Sequence, residues 1–147
     1  MKIFIDGSAG TTGLRIKDRL MKRSDVELTT LSEEQRKDTE SRKQALNSAQ
    51  VAFLCLPDAA AVEAVELVEN PDTVIIDTST AHRTSEGWAY GFPELSAEFE
   101  DKIKNSKRIA VPGCHAGGFI ALVYPLVEAG VLGNDALLSC YSLTGYS

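Results

Sequence analysis

The chain has no stretch approaching the ~18 apolar residues that a membrane-crossing helix needs. Met1-Lys2 leads into an apolar run that reaches Asp6 at once, too short for the core of a secretory signal. Positive charge is in short supply: 15 Lys and Arg stand against 21 Asp and Glu, a formal net charge of −6. Gripping nucleic acid by counterion release needs a basic face, so this balance argues against a nucleic-acid partner. Cysteine is scarce too, and Cys55, Cys114 and Cys140 are odd in number and far apart. They form neither paired metal-ligand spacings nor a disulfide framework, so no metal is expected and cytoplasm is the expected compartment. Eleven glycines and five prolines are too few for a low-complexity chain. What is present is ordinary for a globular fold: 147 residues, 44% hydrophobic and 24% charged. That length supports one core, burying roughly 70% of the unfolded surface.

Short apolar runs alternate with amphipathic ones. Strands are expected at Lys2 to Ile5, Val26 to Leu31, Val51 to Leu56, Thr73 to Ile76 and Arg108 to Val111. Between them, helices are expected from Leu14 to Met21, Ser41 to Asn47, Asp58 to about Glu69 and Leu95 to Lys104, while Asp77 to Pro93 reads as irregular. Strands that are apolar throughout are buried on both faces. The fold class is therefore α/β, a doubly wound parallel sheet of Rossmann-like type. After Pro112-Gly113 the character changes. Phe119 to Val127 is apolar nearly all round and predicts a deeply buried helix, kinked or restarted at Pro125 and stopped at Gly130. Ala136 to Leu143 reads as a further strand. The expected division is 1–113 for a dinucleotide-binding domain and 114–147 for the start of a truncated second α+β domain.

Gly7, Gly10 and Gly13 follow a strand and open a helix. Glycine permits a tight turn and close approach of a pyrophosphate, and a helix N-terminus offers unpaired N–H groups to it. The spacing is G-x-x-G-x-x-G. Candidate cofactor contacts are Gly7, Ser8, Gly10, Thr11, Thr12 and Gly13, joined by Leu56 and Pro57 where the third strand ends. Past the second strand, Ser32 and Arg36 suit the extra phosphate of NADP(H), whereas Glu33 would serve the ribose of NAD; the reading here is NADP(H). A solvated charged loop is the plain alternative for Arg36 and Lys37. Cys55 reads as a small buried apolar residue, and Cys140, inside the expected strand, as core.

Cys114 follows a strand and begins an apolar helix, where the helix N-terminus stabilises a thiolate. That makes it the candidate nucleophile. His115 is its neighbour in sequence, but adjacent helical residues do not face each other, so the two are not a dyad. Ser79 and Arg83 lie in the loop after the fourth strand, on the ligand edge. Arg83 can take a phosphate or carboxylate bidentately, or serve in a structural ion pair.

Five stretches in order resemble N-acetyl-gamma-glutamyl-phosphate reductases of the shorter, second subfamily. They are Gly7 to Leu14, Phe53 to Asp58, Asp77 to Arg83, Tyr90 to Leu95, and Pro112 to Ala116, with Thr144 to Ser147 beginning a family loop. The resemblance implies an NADPH-dependent enzyme of arginine biosynthesis acting on a small acyl phosphate. It implies catalysis by Cys114 through a thioester, a homo-oligomeric full-length protein, and a catalytic histidine downstream of Ser147. Gly117 departs from the family, which has threonine there. Aspartate-semialdehyde dehydrogenases run the same chemistry but carry Asn before the cysteine, where this chain has Gly113. A non-catalytic NADP-binding module is the alternative from another class. Residues 1–147 are expected to fold and bind dinucleotide without turning over substrate, and to associate through, or leave disordered, the segment Ala136 to Leu143.

Overall fold

The computed structural model describes residues 1–143; Thr144 to Ser147, expected to begin a loop, lie outside the described residues. Ile3, Phe4 and Ile5 run consecutively and all are buried, which requires cover on both faces. They form β1 (Lys2–Asp6), and the glycine turn delivers the chain to α1 (Thr11–Leu20). This helix starts earlier than its apolar spacing predicts, so Gly13 lies inside its first turn. β2 (Glu27–Thr29) is shorter than the expected Val26 to Leu31. α2 (Thr39–Ser48) opens at Asp38, whose carboxylate accepts the Ser41 N–H at 2.8 Å. There follow β3 (Val51–Leu54), α3 (Asp58–Glu66), β4 (Val74–Asp77), β5 (Ala89–Tyr90), α4 (Ala97–Asn105), β6 (Arg108–Ala110) and α5 (Cys114–Glu128).

The sheet order is β2-β1-β3-β4-β6-β5, and every pairing is parallel. The α/β doubly wound expectation holds, with one strand more than the sequence announced. The core lies between the sheet and α2 and α3, where Phe4, Leu46, Leu54 and Ile75 interlock with Ala45, Ala49, Ala52 and Ala64. Small alanines let the helices approach the strands closely. Asn47 ties α2 to the turn before β4. Its amide nitrogen donates to the carbonyls of Lys43 and Leu67, and its oxygen accepts from the N–H groups of Glu69 and Asn70.

Three expectations fail after Gly113. α5 begins at Cys114, passes through Pro125 and ends before Gly130 (φ +68°), but no residue in it is buried. It leans on α4 through an edge-to-face contact of Phe99 with Tyr124, and Gly117, Ile120, Val123, Tyr124 and Val127 form a half-buried stripe along one face while the rest is exposed. Ala136 to Leu143 forms no strand, because no described strand lies alongside to complete its hydrogen bonds. Cys140, expected in the core, is therefore exposed.

Candidate active site

β2 lies on one side of β1 and β3 on the other, so the direction of winding reverses between β1 and β3. The loops after these two strands flank the crevice where such sheets take ligands. They touch here. Gly7 has φ +83°, and a Cβ on it would lie 2.2 Å from the Cys55 carbonyl oxygen and 3.2 Å from Leu56 Cδ2. A Cβ on Gly13 would stand 2.4 Å from the Gly7 oxygen. Both glycines are demanded by the protein's own backbone. Gly10 is different: its φ is ordinary, at −76°, and a Cβ would meet nothing nearer than 3.7 Å. It caps α1 without a side-chain hydrogen bond, which leaves the first-turn N–H groups facing open space. Ser8, Thr11 and Thr12 surround it, and their hydroxyls make no hydrogen bond among the described residues. A dinucleotide pyrophosphate fits this cradle.

Ser32 and Arg36 come together on one turn beyond β2. The Arg36 N–H donates to the Ser32 carbonyl at 3.0 Å, while Ser32 and Gln35 exchange backbone-to-side-chain bonds at 3.0 and 3.3 Å. Arg36 Nε is buried without a partner among the described residues, and a buried donor in that state fits an anion placed beside it. Next to this turn in the sheet, Asp6 closes β1 and is nearly buried. Arg42 of α2 donates to its carboxylate from Nε at 3.1 Å and Nη2 at 2.9 Å. Sequence reading missed this pair, since its members lie 36 residues apart.

The loop after β4 is bonded at almost every polar side chain. Thr78 Oγ1 donates to the Leu54 carbonyl at 3.0 Å. The Asp58 carboxylate accepts the Thr80 N–H at 2.8 Å and also its hydroxyl. These bonds hold the Asp58 carboxyl below the usual carboxylate range. Ser79 is buried and gives its hydroxyl to Asp77 at 2.6 Å, so it stands behind the surface rather than on it. His82 Nδ1 meets the same Asp77 oxygen at 2.6 Å. Arg83 donates from Nε to the Val111 carbonyl at 3.0 Å and from Nη2 to the Thr78 carbonyl at 3.3 Å. It thereby clasps the ends of β4 and β6 and takes no carboxylate partner among the described residues. A Cβ on Gly113 would lie 2.6 Å from Arg83 Nη1, so the guanidinium occupies the space beside the residue before the cysteine.

Cys114 is the first residue of α5 and is exposed. With His115, Phe119, Leu122, Cys140 and Tyr141 it lines a cleft of about 470 Å³ between α5 and the extended segment after it. His115 Nδ1 hydrogen-bonds Ser142 Oγ at 2.9 Å, and does not serve the thiol. Cys55 is the opposite case: half-buried against the β1 turn, its thiol is pushed up to about 11 chiefly by burial. The ligand edge thus carries, in order across the sheet, the Arg36 turn, the glycine cradle, the Arg83 clasp and the Cys114 thiol.

The family model described as semialdehyde dehydrogenase, NAD binding domain, matches residues 2–105. N-acetyl-gamma-glutamyl-phosphate reductase 2 of Pseudomonas putida is 52% identical over 145 residues, covering 99% of this chain and 46% of that protein. The chain spans about half the length of the curated relatives it matches. Aspartate semialdehyde dehydrogenase from Francisella tularensis shares the fold with a TM-score of 0.66 at 17% identity, over 88% of this chain and 41% of that one. The Candida albicans enzyme of that name, solved with NADP, gives 0.61 at 19% identity over 86% and 46%.

Proposed function

The chain belongs to the semialdehyde dehydrogenase family through its NAD-binding domain, and from that membership we propose that it forms the nucleotide-binding, thiol-bearing part of an NADPH-dependent N-acetyl-L-glutamyl 5-phosphate reductase of arginine biosynthesis. The observation that carries the reading is an exposed thiol at a helix N-terminus, one residue from an arginine guanidinium, on the ligand edge of a dinucleotide-type sheet. Identity near 50% to reductases of that name over almost the whole chain supports the substrate assignment.

In this reading the Cys114 thiolate attacks the acyl-phosphate carbonyl, forms the S–C bond of a thioester and expels phosphate. Arg83 Nη1 receives the phosphate or carboxylate oxygens beside it, while Ser79 holds the loop through Asp77. NADPH, when bound, supplies the hydride that takes the acyl group to the aldehyde level. Gly7 to Gly13, Leu56 and Pro57 seat its pyrophosphate and the Ser32–Arg36 turn its extra phosphate. The orphaned Arg36 Nε supports NADP over NAD, for which Glu33 would be the ribose ligand. The family resemblance implies that proton transfer falls to a histidine other than the two present; His82 Nδ1 is bonded to Asp77 and His115 Nδ1 to Ser142. Gly113 favours this reading over aspartate semialdehyde, because an Asn side chain there would run into the Arg83 clasp. We place the protein in the cytoplasm as a homo-oligomer, with the domain boundary at 113/114; the exposed face of α5 supports both the association and the boundary.

The test is acylation. Incubation with N-acetylglutamyl phosphate should add the acyl group to the Cys114 peptide, as read by mass spectrometry, and Cys114→Ser should abolish it. Equal labelling by aspartyl phosphate would overturn the substrate assignment, and no labelling of Cys114 would overturn the thioester.

A further inference from the structure

Asp77 is fully buried, although it closes β4 at the ligand edge of the sheet. A carboxylate removed from water must be matched by donors, and three converge on it. The Ser79 N–H reaches Oδ1 at 2.9 Å, and the Ser79 hydroxyl and His82 Nδ1 reach Oδ2 at 2.6 Å each. A carboxylate oxygen has no proton to give, so Nδ1 carries the hydrogen and the tautomer of His82 is set. The imidazole also stacks on Trp88, with centroids 4.1 Å apart and planes 11° from parallel. Asp77 fixes the ring in its plane and Trp88 fixes its tilt. Neither the nucleotide cradle nor the thiol uses this assembly.

Its position gives it a use. Arg83 follows His82 directly, and its guanidinium ends against Gly113, next to Cys114. Nε and Nη2 are spent on the Val111 and Thr78 carbonyls, while Nη1 has no hydrogen-bond partner among the described residues. A long side chain with several rotors keeps such a fork in place only when its Cα is held. We propose that His82 is a positioning residue for anion recognition: clamped by Asp77 and Trp88, it holds the loop so that Arg83 presents Nη1 beside the Cys114 thiol. The inference rests on the acyl-phosphate reading above, and assigns to a buried histidine outside the reacting atoms the placement of the substrate's anionic group.

The experiment follows alkylation of Cys114 by iodoacetamide in the full 147-residue chain, titrated with inorganic phosphate. NADP affinity measured by calorimetry serves as a control for folding. Phosphate should slow labelling of the unmodified chain. In His82→Ala the half-protecting concentration should rise by about tenfold, the loss of one well-placed hydrogen bond. In His82→Asn the amide nitrogen stands where Nδ1 stood, and protection should return to near the unmodified value. In His82→Gln the donor sits one carbon too far and protection should stay weak. If His82→Ala loses NADP affinity as well, the Asn and Gln variants decide between them. Protection equal in the unmodified chain and all three variants overturns the positioning role alone, as does equal loss in the Asn and Gln variants. Absence of phosphate protection in the unmodified chain overturns the anion site itself, and the inference with it.

Discussion

The three glycines of the turn after β1 do different work, and substitution separates them. Alanine at Gly7 meets both a left-handed backbone and the Cys55 carbonyl, and alanine at Gly13 meets the Gly7 oxygen. Each should cost on the order of 1–3 kcal/mol in urea denaturation. Gly10→Ala has room and an ordinary φ, so stability should change by about 0.5 kcal/mol or less while NADP affinity falls. Unchanged affinity in Gly10→Ala would remove the pyrophosphate from this cradle. The cysteines divide in the same way. Iodoacetamide at neutral pH should label Cys114 first and Cys55 last, since the Cys55 thiol is raised from an ordinary 9.0 to about 11. Between these values the unfolded chain has released the proton that the folded chain keeps, so this thiol's contribution to stability is present below pH 9 and is lost as pH rises towards 11. Rapid labelling of Cys55 at pH 7 would contradict its burial.

At the scale of the element, α5 carries glycines at 117 and 118 in a helix with no buried residue. A Cβ on Gly117 would meet only Pro112 Cβ, at an ordinary 3.6 Å. A Cβ therefore has room at this position, where the family resemblance leads one to expect threonine. Gly117→Ala should stabilise the helix by about 1 kcal/mol through lost backbone freedom in the unfolded chain, readable as an upward shift of the urea midpoint. A destabilised variant would show that α5 packs more closely than its exposure indicates.

For the molecule as a whole, the two halves of the ligand edge differ in finish. From β1 to β4 the loops are bonded to one another, whereas α5 and the chain after it expose Leu122, Val131, Leu137 and Tyr141 at 69% or more. Clustered apolar exposure on this scale drives association. The chain should sediment as a concentration-dependent oligomer, and Leu122→Glu should shift it towards monomer without changing NADP affinity. A monomer at all concentrations would contradict the use of this face for association. Among the described residues no helix is long and apolar enough to cross a membrane; Leu122 lies on α5, while Val131, Leu137 and Tyr141 lie on the chain after it.

The alternation of apolar runs and helices by itself determined the parallel sheet, because strands buried on both faces must be apolar without interruption. The glycine spacing after β1 and the cysteine after β6 were legible for a related reason: both are local consequences of a strand handing over to a helix N-terminus. β5 was not legible, since Ala89-Tyr90 is too short to carry a pattern and exists only because β6 lies beside it. The bonds of Asp77, Asp58, Arg83 and Asn47 were equally hidden, several of them joining residues 20 to 28 positions apart that only the strand order brings together. The apolar character of Phe119 to Val127 announced that a face needs covering, and could not say whether it is covered. Sequence pattern reports what each segment requires of its neighbours; the tertiary structure decides which neighbour arrives, because burial and hydrogen bonding are properties of pairs.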